Sequence, residues 1–182
     1  MEYDFDELFA LAKECGFDAV GKLDPKTLKF LPEVRDMCRA DRCRNYGKSW
    51  SCPPACGDLE FWTERAKRYD SGLLLQTVGE VEDSYDFEGM QAVSALNKQQ
   101  VDALADALHA ADADFLLMAA GTCKRCETCT YPDAPCRFPD KLFPSMEACG
   151  LFVSQVCRDN GVDYYYGSDR IAYTCCLLYN KE

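Results

Sequence analysis

Three cysteines separated by two residues each, Cys123, Cys126 and Cys129, with Cys136 following just before Arg137-Phe138-Pro139, constrain this chain more than any other feature. Three thiols within seven residues can wrap three corners of a [4Fe-4S] cubane, because each two-residue spacer lets the backbone turn around the cluster with its amides aimed at the sulfides. The bacterial ferredoxin run C-x2-C-x2-C-x3-C-P has the same first half. Here the fourth spacing is six residues and contains Tyr131, Pro132, Asp133 and Pro135, so Cys136 fits the pattern more loosely than the other three.

A second group lies upstream: Cys38-x4-Cys43-x8-Cys52-Pro53-Pro54-Ala55-Cys56, four thiols within nineteen residues. Pro53 and Pro54 stiffen the segment after Cys52 and withhold two backbone donors, which suits one shielded side of a cluster. Tyr46 and Trp50, inside the eight-residue spacer, are candidates for an apolar lid. Two clusters fit this count, and so do one cluster and one zinc. In two-cluster ferredoxins the last cysteine of a run ligates the other cluster, so Cys56 and Cys136 each have two candidate centres. Four-cysteine zinc sites are usually built from two C-x2-C knuckles. The spacings of four, eight and three in the first group match that template poorly.

Thirteen cysteines in a chain of 182 residues would indicate disulfides in a secreted protein and metal or redox chemistry in a reducing compartment. The N-terminus, Met1-Glu-Tyr-Asp-Phe-Asp-Glu, lacks the basic start and apolar core of a signal peptide. No apolar stretch approaches the roughly 18 residues of a membrane span. The expectation is therefore a cytoplasmic protein, with residues 1–182 as a single cysteine-rich domain. The net charge of −11 argues against nucleic acid or an anionic membrane as partner, since both would repel the chain. The positive charge is concentrated: residues 35–56 carry five bases against two acids and residues 123–141 four against three, leaving −15 for the remainder. Placed around anionic clusters and thiolates, those bases stabilise them and raise the reduction potential.

Hydrophobic spacing predicts a helix over 4–15, a strand over 17–23, and a short helix from Asp58 to about Tyr69. A buried strand over 72–81 follows, then a helix opening at an Asn97/Gln100 capping box and ending near Asp112, and a strand over 114–121. One last helix starts at Pro144-Ser145 with the stripe Met146, Cys149, Val153, Val156 and Cys157. A terminal hairpin then joins 162–166 to 170–179 through Gly167-Ser168-Asp169. The order points to an α+β single-domain sandwich with a mixed β-sheet, helices packed on it, and two cysteine-rich metal-binding loops. Cys15, Cys149 and Cys157 fall on core stripes, and the adjacent Cys175 and Cys176 face opposite sides of a strand. His109 reads as exposed. The five acids between Glu80 and Glu88 read as a solvated loop. Gly57 and Gly121, flanking the two groups, read as tight turns. Neither a dinucleotide nor an NTP fingerprint is present.

Taken together, Cys38-Arg39, Cys43, Tyr46-Gly47, Trp50-Ser51-Cys52-Pro53-Pro54, the Gly121-Thr122-Cys123-x2-Cys126-x2-Cys129 run and Pro135-Cys136-Arg137 with Pro144-Ser145-Met146-Glu147-Ala148 resemble the DUF2284 family. That family comprises small, cysteine-rich proteins of anaerobic bacteria and archaea whose name implies metal binding without an established reaction. Resemblance and residues together favour one or two [4Fe-4S] clusters held by Cys38, Cys43, Cys52, Cys56, Cys123, Cys126, Cys129 and Cys136, serving electron transfer with a redox partner protein. A redox enzyme pairing a cluster with a flavin or corrinoid is the alternative reading. A zinc-stabilised interaction domain is the third.

Overall fold

The computed structural model describes residues 3–181; Met1 and Glu2 of the acidic N-terminus, and Glu182, lie outside the described residues. Its frame is one four-stranded sheet of β1 (Ala19–Leu23), β2 (Ser71–Glu80), β3 (Phe115–Met118) and β4 (Arg170–Tyr179). The strands lie in the order β1-β2-β4-β3 and every neighbouring pair is antiparallel. The expected mixed sheet is therefore corrected, and among the described residues there is no second sheet. β2 and β3 run parallel to each other, as a strand-helix-strand crossover makes them, but β4 is inserted between them and pairs antiparallel with both.

Among the described residues six α-helices surround the sheet: α1 (Phe5–Glu14), α2 (Pro32–Arg39), α3 (Leu59–Ala66), α4 (Phe87–Ala110), α5 (Met146–Cys149) and α6 (Val153–Asp159). Leu73, Leu74 and Leu75 of β2 are all fully buried, because alternate side chains enter different cores. Leu73 and Leu75 meet Leu8 and Ala12 of α1 and Leu104 and Leu108 of α4. Leu74 joins Trp62 of α3, Met146 of α5 and Val156 of α6. Cys175 and Cys176 divide in the same way, one to each core, as the strand reading expected.

Local signals account for most boundaries. Asp4 caps α1 in a reciprocal capping box with Glu7, and Asp58 caps α3 by accepting the Phe61 amide at 2.8 Å. α2, absent from the sequence reading, begins where Leu31 is extended ahead of Pro32. It puts Cys38 on a helix end, not in a loop.

α4 also differs from expectation. It starts at Phe87 behind the Asp86 cap, so the acidic segment supplies a helix start, and Asn97 and Gln100 lie inside the helix, buried. Their polar atoms are used in the core: Asn97 Nδ2 donates to Thr77 Oγ1 at 2.9 Å, Thr77 donates to Gln100 Oε1, and Gln100 Nε2 donates to the Gly16 carbonyl at 2.7 Å. Such satisfied networks are the form in which polar side chains enter a core.

The single last helix is in fact two. Gly150, at φ +102°, turns the chain between α5 and α6 in a conformation that L side chains rarely adopt. The segment 162–166 is not a strand: Gln76 of β2 takes the Asp163 carbonyl with its side chain at 2.8 Å and receives the Tyr166 hydroxyl at 2.6 Å. Among the described residues no helix is long and apolar enough to cross a membrane.

Candidate metal centre

The first cysteine group runs from the end of α2 to the segment before α3, and the second hangs from the end of a sheet strand. The second begins just past β3, and its base is tied off where the Ala119 amide donates to the Pro144 carbonyl at 2.8 Å and the Met146 amide to the Ala119 carbonyl at 3.0 Å. Within that excursion Thr130 Oγ1 donates to the Pro135 carbonyl at 2.9 Å and Arg137 to the Thr128 carbonyl at 3.0 Å. These bonds fold the run back on itself, so Cys123, Cys126, Cys129 and Cys136 all line one small cavity of about 30 Å³. Trp50, Phe138 and Leu142 close it, Arg125, Arg137 and Lys141 border it, and no carboxylate lines it.

The first group follows α2. Asp41, Arg44 and Gly47 all have positive φ, and Asp41 Oδ1 accepts the Tyr46 amide at 2.8 Å, which curls the segment toward the Gly47 amide to Pro53 carbonyl bond of 2.8 Å. Cys38, Cys43 and Cys52 line a second, larger cavity of about 370 Å³. Cys56 borders a different cleft, beside Trp62 and Phe61. Its sulfur donates to the Ala148 carbonyl at 3.5 Å, and Arg35 of α2 bridges the same carbonyl at 2.6 Å and the sulfur at 3.8 Å. Burial pushes the Cys56 thiol up to about 11 against the opposing pull of Arg35. Burial, with Glu147 beside it, also raises Cys38, whose sulfur donates to the Glu147 carbonyl at 3.9 Å.

The two groups touch. Ser51 Oγ accepts the Cys123 amide at 3.1 Å, Cys52 Sγ donates to Thr122 Oγ1 at 3.6 Å, and Trp50 Nε1 donates to the Ala134 carbonyl at 3.0 Å while its ring meets Tyr131 edge-on at 5.0 Å. Gly57 and Gly121, at φ +94° and +66°, are the turns expected of them.

Helix α4 holds the second loop from below. Lys98, Asp102 and Asp106 repeat every four residues and so share one face. Lys98 Nζ donates to the Thr122 carbonyl at 2.8 Å, Asp102 pairs with Arg125, and Asp106 pairs with Lys141 at 2.6 Å. Burial lowers the Lys98 pKa, with the Cys123 thiol pulling the other way.

All thirteen cysteines are free thiols. Among the described residues no three His, Cys, Asp or Glu side chains form a group that could hold a single metal ion. The second loop brings together four soft thiols, basic neighbours and an aromatic wall, with no carboxylate among the lining residues. A family model described as DUF2284, predicted metal-binding protein, matches residues 21–179. The chain belongs to the DUF2284 family. The DUF2284 match takes in both cysteine groups and everything from within β1 to the end of β4, and leaves out α1. No curated protein and no solved structure matches this DUF2284 chain.

Sequence spacing singled out the thiols but not the groups that seat them. Arg35 entered only as one of the five bases of residues 35–56, and Ser51 only within the Trp50-Ser51-Cys52-Pro53-Pro54 element. The i, i+4, i+8 pattern of Lys98, Asp102 and Asp106 is visible on the polar face of a helix whose apolar face had been read. Cys149, fully buried beside Cys56 and Cys176, and Cys157 behave as small core residues, as expected. His109 is exposed, its ring nitrogen 3.1 Å from the Asp140 carbonyl.

Proposed function

We propose that this chain is an iron–sulfur protein carrying one or two [4Fe-4S] clusters, passing electrons to a redox partner protein in a reducing, anaerobic cytoplasm. The single observation that carries the reading is the convergence of Cys123, Cys126, Cys129 and Cys136 on one cavity bordered by Arg125, Arg137 and Lys141. When bound, a cubane supplies one-electron chemistry. The chain's own part is to hold four thiols in one short loop, to offset thiolate charge with three cations, and to keep water out with Trp50, Phe138 and Leu142. Cys38, Cys43, Cys52 and Cys56 make up the second ligand set of this proposal.

A redox enzyme is the second reading, favoured by one observation: Cys38, Cys43 and Cys52 open onto a cavity of about 370 Å³, within the size range of small-molecule sites.

The test is anaerobic purification with iron, zinc and sulfide measured on one sample, and EPR of its dithionite-reduced form. About four or eight irons with matching sulfide is the expected result. Zinc without sulfide would overturn the electron-transfer reading and leave a zinc-stabilised interaction domain. Cys126→Ser should lose iron and visible absorbance together, and unchanged metal would remove the second loop from the ligand set.

A further inference from the structure

We propose that the cavity at the first cysteine group is a binding site for a small uncharged molecule of one or two aromatic rings, held against Cys38, Cys43 and Cys52. That the ligand meets a metal cluster there rests on the iron–sulfur reading; the site itself does not.

The two cysteine groups differ in the space they face. The cavity at Cys123, Cys126, Cys129 and Cys136 measures about 30 Å³. The cavity at Cys38, Cys43 and Cys52 measures about 370 Å³ and extends past the thiols to β4, where Ala172, Tyr173 and Thr174 line it. One group faces little free space and the other a volume that takes a ring system.

The lining decides the chemistry of the occupant. No lysine, arginine or histidine lines this cavity, and its one charged group is the carboxylate of Glu147. A carboxylate or phosphate entering it would lose part of its hydration and meet no counter-charge. Anionic substrates and the phosphates of nucleotide cofactors are therefore excluded from it.

Most polar groups on the wall are already in use. Thr174 Oγ1 accepts Gln76 Nε2 at 3.1 Å, Ser145 Oγ accepts the Ala148 amide at 3.1 Å, and the Tyr173 hydroxyl donates to the Met90 carbonyl at 3.0 Å. Besides these, the wall offers a ligand the apolar surface of Ala148, Val153 and Ala172 and the rings of Tyr46 and Tyr164. Tyr164, 51% exposed, stands where solvent reaches the cavity.

The experiment uses the whole protein, purified anaerobically with its iron and sulfide measured. Binding of 2-naphthol is followed by saturation-transfer NMR and calorimetry, with 2-naphthoate as the anionic control on the same rings. Expected is saturable 2-naphthol binding at least ten-fold tighter than that of 2-naphthoate. Ala172→Phe, which adds bulk on the β4 wall of the cavity, should weaken 2-naphthol ten-fold or more at unchanged iron content. Tyr164→Ala, at an exposed position, should weaken it at least three-fold and serves if Ala172→Phe does not fold. In reduced protein that holds two clusters, 2-naphthol should shift one EPR signal and leave the other in place. Equal binding of both probes, or full binding by both variants, overturns the proposal. Absence of binding with iron and sulfide intact also overturns it while leaving the iron–sulfur reading standing. Selective 2-naphthol binding to protein that holds no iron would keep the site and overturn that reading instead.

Discussion

Ser51 and Cys123 join the two cysteine groups directly: the Ser51 hydroxyl, 1% exposed, accepts the Cys123 amide at 3.1 Å. Ser49 Oγ lies 3.0 Å from the same hydroxyl, so the bond belongs to a short buried chain. The first thiol of the ferredoxin-like run is thus positioned by a residue of the other group, next in sequence to Cys52. If both groups carry metal, this contact fixes one relative to the other.

Ser51→Ala leaves the Cys123 amide without its acceptor. Stranding a buried donor costs about 1–3 kcal/mol, so the urea midpoint should fall by a corresponding amount. With the proposed cluster in place, iron release to a chelator should quicken at the Cys123 loop first. Unchanged stability together with unchanged release would show that the loops are held by other contacts.

The face of α4 carrying Lys98, Asp102 and Asp106 makes a second expectation. Asp102 and Arg125 are 34% and 24% exposed, so their pairing is only partly screened by water, and Arg125 Nε is buried with no hydrogen-bond partner. Asp102→Ala would leave that guanidinium less compensated still, at a cost of about 1–3 kcal/mol, lower than for a fully buried pair. Limited proteolysis should then cut within 121–141 sooner than in the parent, with far-UV circular dichroism unchanged. The more exposed Lys141–Asp106 pair, broken by Asp106→Ala, should change little.

Thiols should sort by burial. Cys149, Cys157, Cys175 and Cys176 are fully buried, and burial raises each of their pKa values, Cys157 to about 11 and Cys175 to about 12. A buried, protonated thiol is a poor nucleophile. In metal-free native protein, maleimide labelling followed by mass spectrometry should reach exposed Cys43 first and leave these four unlabelled until urea is added. Rapid native labelling of Cys175 would refute its place in the core.

What the sequence disclosed, and what it withheld, follows from how local each signal is. The α1 stripe, the Asp58 cap, the Leu73–Leu75 run and the opposed Cys175 and Cys176 depend on neighbours a few residues away. Asn97 and Gln100 misled because a capping pair and a buried polar pair look alike until Thr77 and Gly16 are seen to be their partners. The 162–166 segment has strand composition, yet its contact with the sheet runs through the Gln76 side chain and not through a ladder. Spacing within each cysteine group was legible, and the link between the groups was not, because Ser51 and Cys123 are 72 positions apart.

Alkaline pH offers the most specific check on the core. Cys175 has an ordinary thiol value of 9.0 when unfolded and about 12 when folded, because burial outweighs the favourable Asn97 hydrogen bond. Below pH 9 both states keep the proton and this residue adds no pH dependence. Above it the unfolded chain releases the proton and the folded chain does not, so stability falls by up to about 1.4 kcal/mol per pH unit for this thiol. The fall continues until Cys175 itself titrates near 12. Between pH 9 and 10 thiols dominate, since the raised tyrosines start from 10.0. Cys175→Ser keeps a donor for Asn97 but does not titrate in this range. Urea midpoints taken at half-unit steps from pH 8 to 10.5 should therefore fall less steeply for Cys175→Ser than for the parent. Parallel curves would mean that Cys175 reaches solvent in the folded protein.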